Sequence, residues 1–157
     1  MTTNRIPGAS RASRLRPLIL VFVIVTLAAG CSSSDGEISI NDPWARPTAP
    51  GAENAAFYAQ VQNQSGVDDE LIGASSDRCT MTQIHNTEMN DGVMSMAPAE
   101  HADVTVGPSE TLNLEPGGLH VMCMRVTEPL AEGEEIELDL EFRESGTISV
   151  TAVVEQR

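Results

Sequence analysis

Along most of the chain, short apolar stretches either alternate with polar residues or run unbroken, and turn residues separate them about every ten positions. This pattern predicts strands at Glu37–Ile40, Ala55–Gln62, Glu70–Ala74, Cys79–Thr87, Gly92–Ala97, Val104–Val106, Thr111–Leu114, Leu119–Val126, Glu135–Phe142 and Thr147–Val154. Pro43, Pro47, Pro50, Pro98, Pro108, Pro116 and Pro129 fall between them, as expected for a residue that cannot donate to a ladder. No segment keeps helical periodicity for three turns. Many short strands with Gly/Pro turns predict an all-β single domain, a sandwich or a barrel. There is no internal repeat and no second domain boundary.

The beginning of the chain breaks this pattern. Arg5, Arg11, Arg14 and Arg16 precede an unbroken apolar run from Pro17 to Val25, followed by Thr26-Leu27-Ala28-Ala29-Gly30-Cys31. A basic segment, a short apolar segment and a small-residue end make the layout of a secretory signal. The run is short of the roughly 20 residues that span a membrane, so an uncleaved anchor helix is the lesser reading. Leu27-Ala28-Ala29-Gly30-Cys31 resembles a bacterial lipobox, with Leu one place early. The resemblance implies lipidation at Cys31, with residues 1–30 a lipoprotein signal peptide. Residues 31–36 then form a lipid-anchored flexible linker, and 37–157 form the folded domain. An ordinary signal peptide cleaved nearby is the alternative.

Charge sharpens this division. The 157 residues hold 23 acids and nine bases, all nine of them Arg, for a formal charge of −14. Four Arg and no acid lie in the leader, so the rest of the chain sets five Arg against 23 acids and carries −18. Such a domain lacks the basic patch that nucleic acid or an anionic lipid surface requires. The scarcity of aromatics, 3%, removes base-stacking platforms.

The candidate chemistry is concentrated in one stretch. Six of the seven Met and all three His lie between Met81 and Met124. Thioether and imidazole together suit Cu(I) better than the oxygen-seeking ions. Asp91-Gly92 is a strong two-residue hairpin signal. With those two residues as the loop, Asn90 is expected to pair with Val93, Met89 with Met94, and Thr87 with Met96. His85, Met89, Met94 and Met96 then share one face, with His85 and Met96 diagonal neighbours able to meet at one ion. His120 and Met122 form the second half-site, with Met124 continuing their face while Val121 and Cys123 face the other way. Met89, Met94 and Met124 are auxiliary candidates. Met81 and, less firmly, Met124 carry the commoner expectation of core packing. His101 is expected to be solvated in a loop.

With Cys31 assigned to lipidation, Cys79 and Cys123 remain. Disulfides persist outside the cytoplasmic membrane, so a Cys79–Cys123 bridge is expected, with free thiols or copper-binding thiolates as the alternatives.

The run from His85 to Met96, then Pro116-Gly117-Gly118-Leu119-His120-Val121-Met122-Cys123-Met124, resembles the PCu(A)C family of extracytoplasmic copper chaperones. His85 and Met96 stand at the family spacing of ten intervening residues. The gap to His120-x-Met122 is twenty-three residues, two more than the family pattern. The surplus falls around Ala99–Asp103 and keeps His101 as a nearby candidate. Trp44-Ala45-Arg46-Pro47 and Ala55-Ala56-Phe57-Tyr58 resemble the family's N-terminal segment, and Pro129–Gly133 with Leu138–Phe142 its last strands. The resemblance implies a cupredoxin-like β-sandwich holding Cu(I), with Cu(II) as a second oxidation state, through His85, Met96, His120 and Met122. It also implies copper delivery to membrane cuproproteins, chiefly the dinuclear copper centre of cytochrome c oxidase, alongside Sco-type proteins. No nucleophile motif appears, so catalysis is not expected. A blue-copper electron carrier and a metal-free structural or adhesion sandwich are the alternatives. The first needs a Cys thiolate with His on both sides in the chain, and no His precedes Cys79 or follows Cys123.

Overall fold

The computed structural model describes Thr2 and residues 37–157, apart from Asp91 and the Asn90 side chain. The expected signal peptide, Cys31 and the linker lie outside the described residues. Among the described residues no helix is long and apolar enough to cross a membrane.

Ten strands appear: β1 (Ile38–Ala45), β2 (Asn54–Asn63), β3 (Asp69–Ser75), β4 (Cys79–Asn90), β5 (Val93–Pro98), β6 (Thr105–Val106), β7 (Thr111–Leu114), β8 (His120–Val126), β9 (Glu135–Phe142) and β10 (Gly146–Val154). They hydrogen-bond in the order β5-β4-β8-β2-β1-β10-β9-β3-β6, with β7 on β2 beside β8. All the pairings are antiparallel except β1 with β10, where Trp44 and Ala45 align with Val153 and Val154. The path folds over one shared core as a β-sandwich. The inward residues of β1, β2 and β8, such as Ala45, Phe57, Val61, Val121 and Cys123, share one core with Leu71, Ile136, Leu138, Leu140 and Phe142 of β3 and β9. Strict alternation along Glu135–Phe142 buries every second side chain.

Three expectations shift. The first strand runs on through Pro43, because its register with β2 slips between Asn41 and Trp44, and Asp42 there takes φ 51°. A bulge tolerates the proline that a regular ladder excludes. The second difference lies where a loop was expected around Ala99–Asp103: His101–Val104 make one helical turn, α1, at whose start the Asp103 carboxylate accepts the Glu100 N–H at 3.0 Å. The third is Met81, expected in the core but 49% exposed on the outer face of β4, while Met124 opposite it is half-buried. Strand periodicity explains this, since Met81 shares the face of His85 and not that of the core residue Ile84.

Cys79 and Cys123 form a disulfide with their Cα atoms 5.4 Å apart, which removes the free-thiol and copper-thiolate alternatives. It joins β4 to β8, the two strands that carry the histidines. Closing a loop of 44 residues stabilises the fold by about 4 kcal/mol in the chain-entropy account. Replacing both cysteines by alanine is expected to lower the urea midpoint through a stability loss of that order, with an m-value that rises as the unlinked unfolded chain expands. An unshifted midpoint would contradict the role given to the bridge.

Candidate metal centre

The β4–β5 hairpin turns between Asn90 and Val93. Asn90 pairs with Val93, Met89 with Met94, and Thr87 with Met96, as the turn chemistry predicts. Gly92 sits at φ 81°, a conformation that favours glycine and that the two-residue turn demands. On its other edge β4 pairs with β8 so that His85 lies directly opposite His120, Gln83 opposite Met122, and Met81 opposite Met124. Residues directly opposite share a face. One outer face therefore carries both histidines, with Met96 diagonal to His85 on one side and Met122 two residues from His120 on the other.

The two rings meet edge to face, with centroids 6.1 Å apart. A ring nitrogen sits about 2 Å from a bound first-row ion, so two imidazoles on one ion place their centroids about 6 Å apart. Each ring already has one nitrogen committed. His120 Nδ1–H donates to the Gly118 carbonyl at 3.0 Å, which leaves the Nε2 lone pair for a ligand. His85 Nε2 pairs with Gln83 Oε1 at 3.1 Å, while its Nδ1 is buried without a hydrogen-bond partner. A buried, unpartnered imidazole nitrogen is costly to leave empty and well suited to an ion. Burial first, and then the neighbouring His120, hold the His85 ring below the ordinary imidazole value. It therefore stays neutral, as a metal ligand must.

The loop before His120 supplies the positioning. Gly117 at φ 83° turns the chain, and the Gly118 carbonyl accepts both His120 Nδ1–H and the Thr87 N–H of β4, the latter at 3.2 Å. His120 is buried despite lying on the outer face. Tyr58 of β2 packs 6.2 Å from its ring, and Trp44 of β1 lies 4.5 Å beyond Tyr58, centroid to centroid. Arg46 lies over Tyr58. Sequence reasoning left these residues without a role; the only signal was their place in the segments Trp44–Pro47 and Ala55–Tyr58. In front of this wall lies an open groove of about 660 Å³, lined by Met94, Met96, His120 and Met122 on one side and by Arg46 and the chain following it on the other.

The remaining candidates fall elsewhere. Met89 is paired with Met94 at the hairpin tip, and Met124 lies beyond Met122. His101 is exposed, as expected, and its Nδ1 also meets Glu70 Oε1 at 2.5 Å, in a cluster that Arg143 completes from the far side of that carboxylate. It does not line the groove. Among the described residues no three His, Cys, Asp or Glu side chains gather as metal ligands, so any soft-metal site here depends on thioether sulfur.

Two observations in solution follow. Long-range nitrogen NMR of the metal-free protein is expected to find His120 as the Nδ1–H tautomer. The His85 ring is expected to titrate below about 6.5, moving upward in His120→Ala, where a like charge and some burial are lost. A His85 ring titrating at or above the ordinary value would contradict this geometry.

Comparison with known proteins agrees with the fold. Residues 38–154 match the LpqE-like family, described as "Putative lipoprotein LpqE-like". A protein of Leifsonia xyli subsp. xyli (strain CTCB07), named "Putative lipoprotein Lxx21020", is 29% identical over 121 residues, which are 77% of this chain and 70% of that one. The copper-bound PCuAC domain from PmoF2 superposes with a TM-score of 0.64 at 27% identity, over 79% of this chain and 97% of that domain. The solution structure of CuI-DR1885 from Deinococcus radiodurans gives a TM-score of 0.61 at 25% identity, over 83% and 86%. The architecture is therefore the cupredoxin-like β-sandwich of PCuAC domains, and the chain belongs to the LpqE-like lipoprotein family.

Proposed function

We propose that this protein is an extracytoplasmic copper chaperone, anchored through a lipid on Cys31, that carries one Cu(I) on His85, Met96, His120 and Met122. It works by transfer and not by catalysis. Its cargo passes to membrane cuproproteins, chiefly the dinuclear copper centre of cytochrome c oxidase, in company with Sco-type proteins. The observation that carries this reading is the register of β4 against β8, which sets two imidazoles opposite each other between two thioethers. The copper-bound forms among the structural relatives support the cargo, and the lipoprotein relative supports the anchor.

The donor set suits release as well as binding. Cu(I) accepts soft thioethers and makes few geometric demands. A partner bearing His or Cys ligands can displace one sulfur at a time from the open groove, so the ion is never free. Both imidazoles must be neutral to bind. His85 keeps its lone pair below the ordinary histidine pKa, so this ligand stays available into mild acid and is lost as pH falls through that lowered value. A blue-copper centre would need a thiolate, and Cys79 and Cys123 are both tied up in their disulfide.

Titration with Cu(I) against a competing chelator, with ascorbate as reductant, is expected to give one tight equivalent. His120→Ala or Met96→Ala should weaken it by at least roughly tenfold, the scale seen when even the supports of metal ligands are lost. Failure to compete with a weak chelator would overturn the copper reading. Mixing the loaded protein with the metal-free form of the oxidase domain that houses the dinuclear centre tests delivery: metal should leave the chaperone, and retention would remove that partner.

A further inference from the structure

Among the described residues the exposed large apolar side chains include four methionines, Met81, Met89, Met94 and Met96. All four lie on the outer face of the β4–β5 hairpin that also carries His85. Two of them, Met89 and Met94, stand outside the four-residue site and are the most exposed of the set, at 63% and 62%. They lie directly opposite each other, one pair in from the turn, which sets their Cβ atoms about 5 Å apart. Two flexible thioethers so placed can close on a single soft ion. Met94 also lines the groove together with Met96, His120 and Met122, so the outer pair is continuous with the inner site.

We propose that Met89 and Met94 form a second soft-metal site, an acquisition pair at the hairpin tip that takes up Cu(I) and feeds it inward. This rests on the inner His85/Met96/His120/Met122 reading. The transfer is ligand exchange alone. A copper–sulfur bond to Met89 breaks as one to Met96 forms, and the bond to Met94 then gives way as the imidazole nitrogens of His85 and His120 and the Met122 sulfur complete the inner set. The thioethers and the neutral imidazoles carry no exchangeable charge, so no proton or electron moves and the ion stays Cu(I). Two thioethers alone hold copper less well than a site that adds two imidazoles, which sets the direction.

The test uses the full chain labelled with 13C at the methionine methyls and titrated with Cu(I) under ascorbate. The first equivalent is expected to shift the methyls of Met96 and Met122, and the second those of Met89 and Met94. Met89→Leu/Met94→Leu should abolish the second event, retain the first, and slow stopped-flow loading several-fold. In His85→Ala/His120→Ala the Met89 and Met94 methyls should respond to the first equivalent added. Should Met96 and Met122 stay silent in the native chain while Met89 and Met94 shift, the inner reading fails and the outer pair stands. Unmoved Met89 and Met94 methyls at two equivalents, or shifts at Met81 and Met124 in their place, would overturn the proposal, as would unchanged loading in the double leucine variant.

Discussion

The candidate site depends on the register of β4 against β8. A slip of one residue between these strands would turn His85 away from His120 and send the methionines of one strand into the core. Three features hold the pairing where it is. The Cys79–Cys123 disulfide locks one end. The Thr87 N–H reaches the Gly118 carbonyl at the other. Between them Val121 and Cys123 on β8 are fully buried, with Ile84 of β4 packed against the same core, so the opposite phase would expose apolar surface. The inner face is thus fixed by hydrophobic burial, and the outer face inherits its chemistry from that constraint.

The outer face is unusual in what it exposes. A sandwich normally covers its outer surface with polar side chains, yet here thioethers stand in solvent beside a buried histidine. Trp44 and Tyr58 form the back wall that keeps the His120 ring dry and oriented, and Arg46 covers Tyr58. Among the described residues no carboxylate lines the groove. Glu70, for example, is taken up by His101 and Arg143, and Asp69 by the backbone N–H groups of Glu144 and Ser145. An acidic domain therefore presents a site whose ligands are neutral, which suits a soft monovalent ion over a hard divalent one.

Much of this was legible in the residues because strand periodicity and turn chemistry are local rules. Asp91-Gly92 specified the hairpin register to the residue, and alternation set His120 and Met122 on one face. The misses are places where tertiary structure decides. Pro43 marks a strand end by propensity, but a bulge in the β1–β2 ladder carries β1 through it. Met81 reads as core by frequency, although its even spacing from His85 already placed it outside. The turn at His101–Val104 could have been read from Glu100 and Asp103, whose spacing makes a capping box. Nothing local announces that Trp44 and Tyr58 will stand behind His120, since that contact joins three strands distant in sequence.

The central claim is that one Cu(I) sits among two imidazoles and two thioethers. X-ray absorption of the copper-loaded protein tests it most directly. The account predicts a mixed shell of nitrogen and sulfur scatterers, with a histidine signature that is lost in His85→Ala/His120→Ala and sulfur scattering that falls in Met96→Leu/Met122→Leu. A shell of light atoms with no sulfur or, in a Met89→Leu/Met94→Leu background, a sulfur shell that survives loss of Met96 and Met122, would contradict it.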